Sequence, residues 1–369
     1  MAVIYLDNGA TSLHKPPQVK QAVLRAMEQC ANPGRGGYPQ AQAAAKTVFA
    51  TRQSAGKLLG CLPEQVVFTQ NCTHGLNMAI RSVIRPGDTV VVSGFEHNAV
   101  TRPLKALGVK TVVAGRKAFD WDDTLETFEG ALRKGVDAAV FTHMSNVFGY
   151  ILPVEQMGQL CRQYGVPFIL DAAQSAGSLP VSLEALGAEF IAVPGHKGLL
   201  GPQGTGMLLC RGELQPLLFG GTGSASMQQD MPDFLPDRGE AGTLNVPGIA
   251  GLGAGIRYLL RHGIEHVFAR EKAEADRSAA ALKKMGFRVF AGEHQGGTVS
   301  FLPGGDCEDA AAYLACNGIA VRAGLHCAPL AHESMGTLAT GTVRVSFGHD
   351  ALPWETAAFL RKAEGLVRA

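Results

Sequence analysis

Between about residue 40 and residue 211, seven short apolar runs alternate with segments of helical period. They are VVFT (66–69), TVVVSG (89–94), KTVVAG (110–115), AAVFTH (138–143), PFILDAA (167–173), FIAVPG (190–195) and GMLLC (206–210). Strands interleaved with helices in this way predict a doubly wound α/β sheet of seven mainly parallel strands. Helices are expected over 74–84, 123–134 and 153–164. Ligands of such sheets bind beyond the carboxyl ends of the strands, which makes residues at those ends the candidates for chemistry.

The remainder of the chain reads differently. A loop rich in Gly, Pro and Asp (220–247) precedes helices expected at 248–262 and 265–285, the second charged and solvated. FRVFAG, GGTVSFLP, IAVRAG and GTVRVSFG then predict strands of a smaller α+β unit, with helices near 306–317 and 353–367. A chain of 369 residues also exceeds what one core usually supports. Its formal charge of +1 gives no electrostatic footprint for nucleic acid or an anionic membrane, so the expected partner is a small molecule. Eight cysteines lack CxxC or Cys/His ligand spacing, so neither a metal site nor a disulfide framework is expected, and free thiols suit a reducing cytoplasm. No run approaches a membrane span and the N-terminus has no signal-like h-region; a soluble cytoplasmic protein is expected. The 46 glycines concentrate at 194–206, 220–223 and 248–255, clusters that suggest backbone lying close to a ligand.

The candidate chemistry centres on FIAVPGHKGLLGPQGTG, where Lys197 follows an apolar run and is flanked by His196 and glycines. A lysine held at such a turn is desolvated and available as a Schiff-base amine. Asp171 ends its own apolar run 26 positions earlier. Alone, Asp171 reads as a helix N-cap and Lys197 as a surface charge. Together at strand ends they fit pyridoxal 5'-phosphate, with the lysine on the aldehyde carbon and the carboxylate on the pyridine nitrogen. Gln174 supports the ring from the same turn. In VVFTQNCTHGLN the backbone N–H groups of Cys72 and Thr73 face a phosphate at a helix start, although Thr73 also reads as a plain N-cap. His97 stacks on an aromatic cofactor or is structural. In AVRAGLHCAPL, Cys327 lies in a loop between strands, a nucleophile if Arg322 and His326 lower its pKa and otherwise inert. Arg344 shares a strand face with Ser346, set to clamp a carboxylate or to face solvent.

In order along the chain stand YLDNGATS, NPGRGGY, FTQNCTHGLN, EHNAV, HMSNVFG, DAAQS, GHK, EAGTLN and RAGLHCAPL. This set resembles the class V aminotransferase family, specifically the cysteine desulfurases, and its last segment resembles the group II branch that includes selenocysteine lyases. The resemblance spans almost the whole chain. It implies the fold type I architecture of pyridoxal-phosphate-dependent transferases, with a large domain (15–255) and a small one (1–14 and 256–369) carrying the cysteine loop. A homodimer with its active sites at the interface is also implied. By motif matching, Lys197, Cys327 and His97 would be catalytic, Asp171 the pyridinium partner and Gln174 the contact to the ring hydroxyl. Cys72, Thr73 and His196 would hold the phosphate, and Thr243 would reach the neighbouring subunit's phosphate. Asn146 would touch both cofactor and substrate, binding the substrate carboxylate with Arg344; Arg322 joins the substrate set. The implied reaction takes L-cysteine, or L-selenocysteine, to L-alanine with a persulfide on Cys327 and a sulfur-acceptor protein downstream. The alternatives are another class V reaction, transamination or β-elimination, or a weakly catalytic sulfur-relay partner. Three positions depart from the commoner pattern: Pro194 for Ser or Thr, Leu325 for a histidine, and Gly9 for alanine.

Overall fold

The computed structural model describes residues 3–34 and 36–367. Its strands are β1 (Ile4–Tyr5), β2 (Val66–Thr69), β3 (Thr89–Ser93), β4 (Lys110–Ala114), β5 (Ala138–Thr142), β6 (Phe168–Asp171), β7 (Phe190–Pro194), β8 (Gly206–Cys210), β9 (Arg288–Phe290), β10 (Thr298–Leu302), β11 (Ile319–Ala320), β12 (Arg322–Gly324) and β13 (Thr342–Ser346). All seven apolar runs become strands of one sheet in the order β2-β8-β7-β6-β5-β3-β4. Only β8 runs against its neighbours. The runs are continuously apolar because both faces are covered. Val91, Phe141, Leu170 and Ile191 point into one core layer, and Val90, Val140, Ile169 and Phe190 into the other.

Strand order fixes the site. From β3 the chain steps outward to β4, then returns to β5 and proceeds the other way through β6, β7 and β8. The β3/β5 boundary is therefore the switch point, where two connections diverge and leave a crevice.

The C-terminal part forms an antiparallel sheet ordered β12-β13-β10-β9, and β1 pairs in parallel with β11. Ile4 and Leu6 share a core cluster with Leu282, Phe301, Val343, Val345 and Phe359, so the N-terminal segment packs among distant C-terminal elements. The IAVRAG run, expected as one strand, is two, because Ile319–Ala320 pairs with β1 while Arg322–Gly324 pairs with β13.

Two further expectations are corrected. The glycines of 248–255 lie in the helix Val246–His262, where neighbouring chain packs closely against them. A Cβ at Gly253 would sit 2.3 Å from Thr51 Oγ1, and one at Gly255 would sit 2.3 Å from Leu199 O. The helix Ile264–Lys284 is not simply solvated, since it buries Val267, Ala275, Ala279 and Leu282 along one stripe. Sequence reading also passed over the helix Pro39–Leu59, which packs on Val246–His262.

Candidate functional site

One cavity gathers the strand ends. His97 follows β3, Asn146 follows β5, Asp171 ends β6 and Lys197 follows β7, and all line the same space with Asn71, Cys72, Thr73, Gln174, Pro194 and His196. Gly198 lets the lysine turn approach β6, because a Cβ there would sit 2.4 Å from Ala176 O. Lys197 Nζ has no hydrogen-bond partner among the described residues. Burial holds its pKa below the ordinary 10.5, Asp171 opposes that shift and Arg344 adds to it.

Asp171 is buried, and its Oδ1 accepts from Ala173 N at 2.9 Å and from the Cys72 thiol at 3.5 Å. It is therefore the acceptor in a turn after its strand, not a helix N-cap. The N-cap of the helix Cys72–Val83 is Asn71, whose side chain accepts from His74 N at 2.9 Å. That helix begins at Cys72, earlier than the expected 74. His97 caps the helix Asn98–Ala106, its Nδ1 accepting from Ala99 N at 3.0 Å. That bond requires the proton on Nε2, and burial keeps the ring's pKa low. Gln174 Nε2 donates to Gly9 O at 3.0 Å. His196 Nδ1 lies 3.0 Å from Thr11 Oγ1, and burial, with Lys197 and Lys15 nearby, pushes its pKa down to about 4.

Arg344 faces the interior, not solvent. It is 2% exposed, with Nη2 donating to Asp7 Oδ1 at 2.6 Å and Nη1 to Asn146 O at 3.0 Å. Arg322 stands opposite it in the β12–β13 register and binds the other oxygen of Asp7 at 3.0 Å. Asp7 thus organises both arginines, a role that sequence reasoning missed although the residue lies within YLDNGATS. Gly9 donates its N–H to Ser346 Oγ at 2.7 Å; a Cβ at that position would lie 3.3 Å from Arg344 Cζ, a tight fit for alanine.

Cys327 is exposed. The backbone at His326 and Cys327 is left-handed at two successive non-glycine residues, φ 49° and 56°, an arrangement that persists only where its surroundings hold it. Asn98 N donates to Cys327 O at 2.8 Å, and Asn146 Nδ2 donates to His326 O at 2.8 Å. The His326 ring is turned into the protein, with Nε2 3.2 Å from Thr342 O. Burial pushes its pKa down to about 2, so it is no cation beside the thiol. Arg322 is committed to Asp7. The sequence expectation that these two residues charge the neighbourhood of Cys327 is not what the fold builds.

Thr243 lines other cavities, one of them with Phe68, Gly206 and Asn245, and does not line the Lys197 cavity of its own chain.

The family model for aminotransferase class-V matches residues 4–354. The chain belongs to this family. It is 33% identical to a probable cysteine desulfurase of Methanothermobacter thermautotrophicus over 93% of this chain and 89% of that one. It is 30% identical to a cysteine desulfurase of Haloferax volcanii over 94% and 85%. Among solved structures it is similar to the apo cysteine desulfurase of Thermococcus onnurineus, with TM-score 0.91, 33% identity and coverage of 99% and 95%.

Membership in class V implies pyridoxal phosphate, and the residues present fit that group. The first-turn N–H groups of Cys72 and Thr73 have no protein acceptor among the described residues, and both residues line the cavity, as an anion site at a helix N-terminus requires. A buried carboxylate and an unpartnered lysine line the same space. Pro194 also has a local explanation. It ends β7 beyond the last β6 partner, where a missing N–H removes no ladder bond, and Gly195 N continues the pairing to Thr205 O at 2.8 Å.

Proposed function

We propose that the chain is a pyridoxal-phosphate-dependent cysteine desulfurase, taking L-cysteine to L-alanine with the sulfur left as a persulfide on Cys327. The observation that carries this reading is one cavity holding Lys197, Asp171, His97 and Asn146, with an exposed cysteine tied to the same asparagine through His326 O. Bound pyridoxal phosphate would supply an electron sink for the charge developing at the substrate Cα.

The chain's residues do the rest. Cys72 and Thr73 N–H hold the phosphate, Asp171 holds the proton on the ring nitrogen, Gln174 meets the ring hydroxyl and His97 covers the ring face. His196 supports the phosphate cup. Arg344, fixed by Asp7, and Asn146 bind the substrate carboxylate; Arg322 strengthens that positive field from the edge of the sheet. Lys197, with its lowered pKa, takes the Cα proton through Nζ and returns protons to carbon. The Cys327 thiolate attacks the substrate sulfur: the S–S bond forms, the C–S bond breaks, and its electron pair stays with the carbon fragment that is protonated to alanine. Selenocysteine fits the same pocket, and a thiol-bearing acceptor protein would clear the persulfide.

We read the large domain as 15–255 and the small one as 1–14 with 256–369. The working form is a homodimer, in which Thr243 serves the other subunit's phosphate. Phe219 and Met227, 78% and 99% exposed on the segment that leads to Thr243, support such an interface. Free thiols at all eight cysteines suit the cytoplasm, and no helix among the described residues is long and apolar enough to cross a membrane.

The test is product analysis of the holoenzyme. Borohydride should fix the cofactor on Lys197, and L-cysteine should give alanine and a persulfide that Cys327→Ala cannot form while it still binds cofactor. Full cysteine turnover by Cys327→Ala, or a keto acid in place of alanine, would sink the reading.

A further inference from the structure

Lys197 stands in a wall between two cavities. On one side lies the space shared with His97, Asn146 and Asp171; on the other is a second cavity reached by Asn8, Ser12, Gly297, Thr298, Glu271 and His349. Among the described residues, only Gln174 and Lys197 line both. The second cavity offers about 40 Å³ to water centres, room for on the order of two or three waters.

Glu271 is the group the proposed chemistry leaves unused. It projects from the helix Ile264–Lys284 into the second cavity and has no hydrogen-bond or ion-pair partner among the described residues. Burial pushes its pKa up to about 8, and the Asp350 charge adds to that. The residue is half-buried, so water entering the cavity can reach the carboxyl and satisfy it. Gly297 makes the space: a Cβ there would lie 2.7 Å from Glu271 Cβ and 3.3 Å from its Oε2. Across the cavity, buried His349 Nδ1 also lacks a hydrogen bond and lies 3.7 Å from Asp350 Oδ1. The other charged groups nearby are engaged. Lys15 Nζ donates to Ser12 O at 2.8 Å, to Ser12 Oγ at 2.9 Å and to His196 O at 3.4 Å; Arg270 donates to His349 O at 3.1 Å, and His14 pairs with Asp350 at 3.0 Å.

In the desulfurase reading, on which this inference rests, bound cofactor and substrate would fill the reaction side of Lys197. The second cavity then offers the lysine's proton a route to solvent on the other side. We propose that Glu271 exchanges protons with Lys197 Nζ through water held in the second cavity, as a positioning residue for the lysine's proton. The Glu271 carboxyl gives its O–H proton to a cavity water, which passes one to Nζ; the carboxylate regains a proton from water on the His349 side. The same path in reverse carries away the proton that Nζ takes from Cα.

The experiment follows the isotope content of alanine made by the holoenzyme from ordinary L-cysteine in D2O. Wild type should place solvent deuterium at Cα. Glu271→Gln keeps the shape but removes the exchangeable acid; it should retain the original Cα hydrogen several-fold more often and lose about tenfold in kcat with KM unchanged. Gly297→Ala, which narrows the cavity with every charge in place, should move the isotope content the same way. A high-resolution crystal structure of the wild-type holoenzyme should show ordered water joining the Glu271 carboxyl to the second cavity's Lys197 wall. Unchanged deuterium content in both variants, or a dry cavity, would overturn the relay while leaving the desulfurase reading intact. A wild-type enzyme that releases no alanine would remove both.

Discussion

Glu96 sits beside His97 with no exposed surface, its Oε1 accepting from the Ser93 hydroxyl and from Thr142 N at 2.9 Å while Oε2 has no partner. Burial pushes its pKa up to about 8 from an ordinary 4.5. The sign of the consequence follows from proton counts: between those values the folded chain keeps a proton that the unfolded chain has lost, so stability falls as pH rises through that window. We expect the melting temperature of Glu96→Gln to fall less than that of wild type over the same window, measured by scanning calorimetry at fixed ionic strength. Equal slopes would place the pH dependence elsewhere. Asn146 acts at the same scale. It joins the expected substrate site to the Cys327 loop with one 2.8 Å hydrogen bond. Asn146→Ala should raise KM and also loosen the loop, read as faster amide exchange at 325–328.

At the scale of elements, a single buried ion pair fastens the helix Pro39–Leu59 to the sheet. Arg52 donates to Glu240 Oε2 at 2.5 Å and to Val66 O, and Glu240 Oε1 accepts from Phe68 N at 2.6 Å. Both side chains are almost fully covered. Arg52→Ala strands a buried carboxylate at the edge of β2, which should cost about 3–5 kcal/mol in chemical denaturation. A loss near zero would mean that water reaches Glu240. This helix was not legible in the sequence, because its buried face is mostly small residues, Ala41, Ala44, Thr51, Ala55 and Gly56, and gives no strong apolar period. The glycines it packs near belong to Val246–His262. Composition marked them as ligand-facing because glycine permits close approach to a helix as readily as to a phosphate.

For the whole molecule, Thr243 lies outside its own chain's Lys197 cavity, and the role proposed for it is at the phosphate of a second subunit. Thr243→Val should weaken cofactor binding by roughly tenfold to a hundredfold, the worth of one hydrogen bond to a charged group, in a titration of apoenzyme with cofactor. Unchanged affinity would remove the cross-subunit role. Sedimentation should give a dimer. The sequence by itself determined the sheet, since uninterrupted apolar runs of strand length are stable only when covered on both faces, and it placed Lys197, Asp171 and His97 at strand ends by local pattern alone. Tertiary structure decided what those patterns do not encode. Asp7 meets Arg344 across more than three hundred residues of chain, His326 turns inward instead of toward the thiol, and Glu271 reaches a cavity behind the lysine. Each depends on which distant segments the fold brings together, and hydrophobic periodicity within any one segment carries no record of that.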